Sequence, residues 1–407
     1  MGSPDGLCGG RQSSIARMTD SAAEDARYLC RNAVEALPEG ALERQLAEGR
    51  PLRVKLGIDP TAPDIHLGHT VVLRKLREFQ DLGHTVVLII GDYTARVGDP
   101  SGRSATRPVL SGETIDANAE TFQRQAFEVL DAERTEVRRN GEWLAMAMED
   151  LFRLARSATV AQLLERDDFA KRYAANEPIS VLELLYPLLQ GYDSVAVEAD
   201  VELGGTDQKF NLLLARQVQQ AYGVAQQSVL TMPILPGTDG VQRMSKSLGN
   251  YVGVTEPPNE VFGRLMRVPD SAMPVYYDLL LDGDFDPERP AVESKRALAR
   301  GIAARLHGEE AALDAERHFD RLHVERDLPD EVPEHAVAAD GGAVHLPAVL
   351  RDAFGMSSSE GRRLLAQGGV KVDGEPLAAE DLDVPAERVD GAVLQVGKRR
   401  FVRLRVG

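Results

Sequence analysis

The chain has 407 residues, 43% hydrophobic and 27% charged, which is enough for two or three domains that each bury a core. Its net charge of −17 argues against a general nucleic-acid coat or a membrane-surface protein, although a local RNA contact depends on patches and stays compatible with it. The only cysteines, Cys8 and Cys30, cannot form a disulfide framework or a four-thiolate zinc site, which fits a reducing cytosol. No apolar run approaches the ~20 residues of a membrane helix.

The first segment is predicted to be a disordered leader. Residues 1–22 begin with a Gly/Ser-rich stretch that lacks the apolar centre of a signal peptide, and Met18 is a second candidate start. Residues 24–46 are then predicted to be helical, ending at the stop signal Gly49-Arg50-Pro51.

Residues 54–69 are typical of a buried strand, a turn and the start of a helix that continues over residues 71–81. We name residues 59–69 the histidine turn. His66 and His69 are three positions apart on the first helical turn, and Gly68 between them leaves room for a ligand. Backbone N–H groups and the helix dipole favour an anion there, above all a phosphate. The alternative is that both histidines only cap the helix.

Strands and helices then alternate along the chain. Residues 85–91 form a continuous apolar strand, and the loop after it exposes Asp99 and Arg103. The further predicted elements are a helix at 111–133, a strand at 136–144, a largely helical stretch at 145–173, a capped helix at 180–192, a strand with a Gly-rich turn at 201–208, a helix at 209–222 and a strand at 229–235. This alternation predicts a doubly wound, Rossmann-like α/β domain with a parallel sheet.

The pattern changes after Pro257. Helices are predicted at 259–266, 272–281 and 289–322, an acidic linker at 327–342, and a small α+β unit at 343–407. The predicted elements of that unit are helices at 346–354 and 358–367 and strands at 370–372, 392–396 and 401–406. It carries ten Lys or Arg and nine Asp or Glu, a balance of +1 against −18 for residues 1–342. Its basic residues favour an anion-binding accessory or a solvated surface about equally.

A second motif follows the last strand of the predicted sheet. Residues 236–250, which we name the cation loop, place Arg243 and Lys246 on either side of Met244 and Ser245. Such a loop can deliver positive charge to a phosphate that gains charge during a reaction, and pyrophosphate leaving ATP is the obvious candidate. The alternative is a flexible surface loop.

Together the two motifs are far more specific than either alone. His66-Leu67-Gly68-His69 and Arg243-Met244-Ser245-Lys246-Ser247 resemble the paired signatures of class I aminoacyl-tRNA synthetases. Residues 57–61, 98–102, 186–193 and 204–208, with the small C-terminal unit, narrow the resemblance to the bacterial tyrosyl-tRNA synthetases, from about Ala23 to the C-terminus.

The resemblance implies both an activity and a domain plan. The activity is the formation of tyrosyl-adenylate and pyrophosphate from L-tyrosine and ATP with Mg²⁺, followed by transfer of tyrosine to the terminal adenosine of tRNA(Tyr). The plan is a catalytic domain at 23–255 with an inserted dimerisation segment, a helical anticodon-side domain at 256–326, and an RNA-binding domain at 343–407 that resembles a small-subunit ribosomal protein. The family acts as a cytoplasmic homodimer, and no protein-bound metal site is expected.

The resemblance also assigns residues to each substrate. For ATP these are His66, His69, Arg243 and Lys246 as catalytic phosphate ligands, with Gly57, Asp59, Thr61, Gly68 and Asp207 around the nucleotide. For tyrosine they are Asp99, Tyr186 and Gln190 at the ammonium, Asp193 at the phenol and Gln208 near the carboxyl group. For tRNA or pyrophosphate they are Arg103, Arg107, Arg362, Arg363, Lys398, Arg399 and Arg400.

Two positions depart from the family pattern. Lys55 stands where many bacterial members have a tyrosine that contacts the phenol, and Arg243 stands where the loop motif usually has lysine. Arginine keeps the charge and adds a planar fork, so phosphate binding should survive. Two other functions are alternatives: a non-catalytic RNA-binding relative, which has no need of His66, His69, Lys246 or Asp193, and activation of tryptophan or another aromatic amino acid, which the polar Asp193 opposes.

Overall fold

The structure is a computed structural model that describes residues 22–61, 64–100, 111–281, 283, 285–325, 332–378, 381–397 and 400–407. The described residues divide into two compact units, one up to Ala315 and the other at Glu316–Gly407. Among the described residues, no helix combines the length and apolar character needed to cross a membrane.

The described strands of the first unit form one sheet. They are β1 (Glu35–Leu37), β2 (Arg53–Ile58), β3 (Thr85–Ile90), β4 (Thr135–Arg139), β5 (Val201–Gly205) and β6 (Ser228–Met232). Their order is β1-β6-β5-β2-β3-β4, and every neighbouring pair is parallel except β1 with β6. Strand order therefore reverses between β2 and β5, and the crevice at the carboxyl ends of these strands is where open α/β sheets bind ligands.

Helices precede, connect and follow these strands. Their bounds are α1 (Ala22–Cys30), α2 (Ala41–Leu46), α3 (Leu67–Asp81), α4 (Thr94–Val97), α5 (Gly112–Ala126), α6 (Gly141–Leu144), α7 (Met148–Ala155), α8 (Val160–Leu164), α9 (Asp167–Ala174), α10 (Val181–Ala196), α11 (Lys209–Tyr222), α12 (Pro258–Leu265), α13 (Met273–Leu280), α14 (Ala291–His307) and α15 (Glu309–Asp320). The described part also contains 3₁₀ turns at Ala132–Arg134, Thr206–Gln208, Lys246–Leu248 and Asp270–Ala272, and a π turn at Arg321–Glu325.

The apolar residues of β3 are buried on both faces of the sheet, which confirms the doubly wound α/β prediction. Val86 and Leu88 pack with Leu76 and Phe79 of α3 in one core cluster. The alternate residue Ile89, with Val87, packs against residues that follow α10 in another. Each fully buried aliphatic side chain contributes roughly 1.5–3 kcal/mol to folding.

Several sequence-predicted boundaries were wrong. Residues 24–46 are not one helix: α1 ends at Cys30, and β1 pairs with β6 before α2 begins. Pro38 explains the extended strand before it, because the residue before a proline is driven out of the helical region. The predicted strand at 136–144 ends at Arg139 and continues as α6. The predicted helix at 111–133 ends at Ala126.

Two further boundaries differ for a simple backbone reason. The strand predicted at 229–235 ends at Met232, because Pro233 has no N–H for a sheet ladder. The helix predicted at 289–322 is divided at Gly308, whose φ of 89° lies outside the right-handed helical region. Helix α13 lies against α3, and Asn32 donates to the Asp278 carbonyl at 2.8 Å, so this helix after Pro257 packs directly on the first unit.

The second unit has a core of its own. Its described strands are β7 (Glu334–Val337), β8 (Ala343–His345), β9 (Val370–Val372), β10 (Glu375–Pro376), β11 (Asp383–Pro385), β12 (Val393–Val396) and β13 (Arg400–Val406). Its described helices are α16 (Leu346–Phe354), α17 (Ser358–Ala366) and α18 (Ala386–Val389). One sheet has the order β10-β9-β12-β13-β7, and β11 pairs with β8. The predicted linker at 327–342 is wrong over β7, which pairs in parallel with β13.

Candidate active site

A cavity of about 410 Å³ opens at the point where the strand order reverses. It brings together predicted residues that are far apart in the chain. The predicted residues that line it are Gly57, Asp59, Thr61, His66, Gly68, His69, Asp99, Tyr186, Gln190, Asp193, Asp207, Gln208 and Arg243. Among the described residues, no group of three or more His, Cys, Asp or Glu side chains could hold a metal ion.

His66 and His69 form the N-terminal cap of α3. His66 is the N-cap residue, and its Nδ1 accepts the Gly68 N–H at 3.2 Å. The His66 backbone N–H in turn donates to Nδ1 of His69 at 3.2 Å, and the two ring centroids are 4.0 Å apart. Both histidines therefore do cap the helix. Capping uses only Nδ1 of each ring and leaves Nε2 available for a ligand.

The cap fixes the state of both imidazoles. Burial, followed by His69 and Lys246, lowers the pKa of His66 to about 3. Burial, followed by Lys246, lowers the pKa of His69 to about 4, so both rings are neutral at pH 7. Because each Nδ1 accepts a hydrogen bond, each ring carries its proton on Nε2. The histidine turn therefore offers two neutral N–H donors at a helix N-terminus, which suits phosphate oxygens.

The cation loop is held against the histidine turn by the backbone. His66 forms a β-bridge with Gly253, and the Leu67 N–H donates to the Val252 carbonyl at 3.0 Å. Within the loop, Asn250 accepts the Ser245 N–H at 2.8 Å and donates to Asp239 at 2.7 Å. These bonds explain how two motifs about 180 residues apart in the chain come to the same cavity.

Both predicted cations pair with carboxylates of the same region. Nζ of Lys246 lies 2.8 Å from Oδ2 of Asp64, and Nη1 of Arg243 lies 3.8 Å from Oδ2 of Asp207. The Lys246 contact lowers the pKa of Asp64. Lys246 also lies close enough to His66 and His69 to lower both of their pKa values. These pairs are partly exposed, so they can exchange partners when an anion arrives.

Asp59 lines the cavity, and both of its carboxylate oxygens are hydrogen-bonded inside the protein. Its Oδ1 accepts the Thr94 hydroxyl at 2.7 Å, and its Oδ2 accepts the Tyr186 hydroxyl at 2.9 Å. Burial raises its pKa to about 7, against the opposing effect of these bonds. Asp59 therefore also positions Tyr186, a link that sequence reasoning missed.

Asp193 forms the floor of the cavity. Only 3% of the residue is exposed, and burial raises its pKa to about 6. Nε1 of Trp143 donates to Oδ1 at 2.8 Å, and Nδ2 of Asn140 donates to Oδ2 at 3.3 Å. Trp143 and Asn140 were missed by sequence reasoning, which placed them in a strand. The Asn140-Gly141 pair could have indicated that the strand ends there and that polar side chains at its carboxyl end face the cavity.

The remaining polar groups form a connected chain along one wall. Gln208 donates to Asp99 at 2.9 Å, and Asn211 donates to Gln208 at 3.2 Å and to Gln190 at 2.8 Å. Arg166, between α8 and α9, donates to Asn211 at 3.1 Å. Asn211 and Arg166 were not predicted, because neither belongs to a recognisable motif.

Lys55 does not point into the cavity. Its side chain is fully buried, and Nζ lies 2.8 Å from Oε1 of Glu202. It also donates to Oγ of Ser194 at 2.8 Å and to the Gln190 carbonyl at 3.1 Å. The ammonium group therefore has an acceptor for each of its three N–H bonds within the protein.

The other predicted residues lie elsewhere. Arg362, Arg363 and Arg400 are exposed in the second unit. Arg103, Arg107, Lys398 and Arg399 lie outside the described residues.

The fold and the paired motifs define a class of protein, and comparison with known proteins agrees. Residues 47–323 match the family model for class I tRNA synthetases (W and Y). Two bacterial tyrosine–tRNA ligases are each 50% identical to this chain: that of Moorella thermoacetica over 95% of this chain and 97% of the relative, and that of Geobacter sulfurreducens over 94% and 99%. The chain therefore belongs to the tyrosine–tRNA ligase family of class I tRNA synthetases.

Solved structures show the same fold at lower identity. Tyrosyl-tRNA synthetase of Archaeoglobus fulgidus, complexed with L-tyrosine, has a TM-score of 0.60 at 24% identity and covers 72% of this chain and 99% of its own. The C-terminally truncated mitochondrial enzyme of Aspergillus nidulans has a TM-score of 0.62 at 21% identity and covers 75% and 94%.

Proposed function

We infer that this chain is a ligase that activates L-tyrosine with ATP and transfers the tyrosyl group to the 3′-terminal adenosine of tRNA(Tyr). One observation carries the inference: two neutral imidazole donors, the Arg243 cation and a buried carboxylate line the same cavity, and Lys246 of the same loop pairs with Asp64 of the histidine turn. In the first step the tyrosine carboxylate attacks the α-phosphorus of ATP, so the reaction needs no protein nucleophile. It needs groups that bind the phosphates better in the transition state than before it.

We propose that the histidine turn and the cation loop supply those groups. Nε2–H of His66 and of His69 would donate to phosphate oxygens, while Arg243 and Lys246 would leave their carboxylate partners to neutralise the departing pyrophosphate. Gly57, Thr61 and Gly68 would border the nucleotide, and the carboxylate of Asp207 would accept its ribose hydroxyls, as the resemblance implies. Mg²⁺ would arrive with ATP.

The opposite wall would bind tyrosine. The ammonium group would meet acceptors at Asp99, Tyr186 and Gln190, and the carboxyl group would lie near Gln208. Asp193 would accept the phenol hydrogen bond, supported by its burial and by the two donors that fix its oxygens. Phenylalanine would leave this buried carboxylate without that partner, which is costly.

We propose a homodimer that uses the segment between β4 and β5. This segment carries large apolar side chains that are 57–75% exposed in the single chain: Met148, Phe152, Val160, Tyr173 and Val181. Apolar exposure of this kind marks association surfaces. Sedimentation of the purified protein tests it, and a monomer at micromolar concentration would contradict it.

The remaining assignments follow from the family. Helices α12–α15 would lie on the anticodon side of tRNA, and the second unit would bind the tRNA backbone through Arg362, Arg363 and Arg400, with Arg103, Arg107, Lys398 and Arg399 contacting tRNA or pyrophosphate. Such phosphate contacts weaken as salt rises. A cytoplasmic location fits this role in translation.

One assay tests the proposed function. Exchange of labelled pyrophosphate into ATP should depend on tyrosine and should be far weaker with phenylalanine or tryptophan. Exchange driven by tryptophan would favour a different aromatic amino acid. Tight tRNA binding without any exchange would favour a non-catalytic RNA-binding protein.

A further inference from the structure

Lys55 is a buried cation beside the tyrosine pocket that has no place in the mechanism above. It lies on the central strand β2 with none of its side chain exposed, and its three hydrogen-bond acceptors are Glu202, Ser194 and the Gln190 carbonyl. A Lys Nζ has three N–H bonds. With all of them used inside the protein, Lys55 does not replace the missing tyrosine as a direct phenol contact.

Glu202 completes a closed network on the neighbouring strand β5. Only 1% of it is exposed, and its Oε2 accepts the Ser194 hydroxyl at 3.1 Å and the Gln227 amide. A buried ion pair is a weak source of stability, because removing two charges from water costs about as much as their attraction returns. The position of this pair therefore has to be explained by what it contacts.

The pair contacts a turn of α10 that lies along the cavity. Lys55 holds the Gln190 carbonyl and the Ser194 side chain, which are one helical turn apart. Between them lies Asp193, and both Gln190 and Asp193 line the cavity. Lys55 therefore ties the sheet to the helical turn that carries the ammonium and phenol ligands.

We propose that Lys55, paired with Glu202, is a positioning residue for tyrosine selection that acts through residues 190–194 of α10 and never touches the substrate. This inference rests on the proposed tyrosine activation. A buried charge pair behind the pocket takes the place of the second phenol contact found in many relatives. Asp193 accepts the phenol hydrogen bond from a helical turn that this pair holds in place.

The proposal has an electrostatic consequence that a purely structural role lacks. Burial raises the pKa of Asp193, Lys55 opposes that rise, and Glu202 adds to it. Tyr186 on α10 and Asp59 after β2 face the same carboxyl group, and Trp143 and Asn140 of the α6 region donate to it. Removing the charge of Lys55 should therefore raise the pKa of Asp193, and removing the charge of Glu202 should lower it.

The experiment uses the full-length protein and three variants: Lys55→Met, Glu202→Gln and the double variant. Pyrophosphate exchange is measured with tyrosine and with phenylalanine between pH 5 and 8. The ratio of the two kcat/KM values isolates Asp193, because Asp59 affects both amino acids whereas the phenol contact exists only for tyrosine.

In the unaltered protein this ratio should fall as the pH drops through about 6, since a protonated Asp193 loses its acceptor role. Lys55→Met should raise the midpoint by about 1 pH unit, and Glu202→Gln should lower it by a similar amount, the shift expected from one nearby charge. The double variant should return the midpoint toward its original value. At pH 7 Lys55→Met should lower kcat/KM for tyrosine roughly tenfold or more while the KM for ATP stays unchanged.

A second buried pair provides a matched control. Lys75 and Glu78 of α3 lie 2.6 Å apart, with 2% and 17% of their side chains exposed, and Lys75 also donates to a backbone carbonyl. Lys75→Met should destabilise the fold comparably and leave the amino-acid ratio and its midpoint unchanged.

Midpoints that move together or stay fixed in the two single variants would overturn the assignment, as would unchanged tyrosine selectivity in Lys55→Met. If Lys55→Met does not fold, the downward shift in the nearly isosteric Glu202→Gln decides the matter alone. No exchange with tyrosine in the unaltered protein would overturn the proposed function itself, a result that is distinct from failure of the variants.

Discussion

The side of the cavity that we propose for the phosphates, the phosphate wall, is made by the histidine turn and the cation loop and carries cations that are partly exposed and paired with carboxylates. Lys246 has 25% of its side chain exposed and Arg243 has 46%. The side that we propose for tyrosine, the tyrosine wall, carries Asp193 and Tyr186, which are 3% and 6% exposed and hydrogen-bonded inside the protein. The difference indicates that one wall must change its partners during the reaction, whereas the other is organised before the substrate arrives.

This contrast matches the demands of the two substrates. A phosphate gains charge as pyrophosphate departs, so its ligands are most useful when they can follow that charge. A phenol must be distinguished from a phenyl ring, and discrimination comes from a polar group that cannot be satisfied by water when the wrong ligand binds. Substitutions on the two walls should therefore affect different kinetic constants.

The largest effect is expected on the tyrosine wall, from Asp193→Ala. The change removes the phenol acceptor and leaves the Trp143 N–H without its acceptor, while Nδ2 of Asn140 keeps only its bond to Thr94, so kcat/KM for tyrosine should fall roughly 10²- to 10³-fold. The value for phenylalanine should change much less. Asp193→Asn is the control, because it keeps the size and removes the charge. Equal losses for both amino acids would show that Asp193 does not bind the phenol hydroxyl.

On the phosphate wall, Lys246→Ala should lower kcat for pyrophosphate exchange by roughly 10²-fold, the usual effect of one lost transition-state donor. The KM for tyrosine should stay unchanged, since Lys246 faces Asp64 and not α10. Lys209→Ala is the matched control, because Lys209 also forms a carboxylate pair, with Glu35 at 2.6 Å, but belongs to neither the histidine turn nor the cation loop. A large rise in the KM for tyrosine in Lys246→Ala would contradict the separation of the two walls.

The histidine turn also makes the stability of the fold depend on pH. The pKa values of His66 and His69, lowered to about 3 and 4, lie below the value of 6.5 expected for an unfolded histidine. Between these values the unfolded state binds more protons, so the free energy of unfolding rises with pH up to about 6.5 and falls as the pH drops below it. Each group contributes up to about 1.4 kcal/mol per pH unit.

Urea unfolding at pH 5 and pH 7.5 checks this prediction. His66→Asn retains an oxygen acceptor for the N-cap and removes the titrating group, so its stability should depend less on pH. An unchanged difference between the two pH values would mean that His66 does not carry the dependence.

The sequence predicted cavity residues on both walls, including Asp193 and Gln208 on the tyrosine wall, but not the partners that hold the tyrosine wall in place, for a physical reason. Phosphate ligands lie on short contiguous motifs, because a helix N-terminus and a single loop suffice to surround an anion, and His66, His69 and Arg243 all reached the cavity as expected. The tyrosine wall is assembled from side chains of several elements. Trp143 and Asn140 were hidden in a stretch predicted as a strand, and the partners of Lys55 lie 135 to 147 positions away. Periodicity locates elements but does not show which buried polar groups meet.

The smallest effect should come from Asp64→Asn, which tests whether the phosphate wall must exchange partners at all. Asp64 holds Lys246 at 2.8 Å in a pair whose carboxylate is 44% exposed, so the pair is worth about 0.2–1 kcal/mol. Releasing Lys246 should lower the KM for ATP by a factor of up to about 5 and leave the KM for tyrosine unchanged. The gain should shrink at high salt, because salt screens the exposed pair in the unaltered protein. A higher KM for ATP in Asp64→Asn would show instead that Asp64 orients Lys246 toward the phosphates, and the phosphate wall would then be as organised in advance as the tyrosine wall.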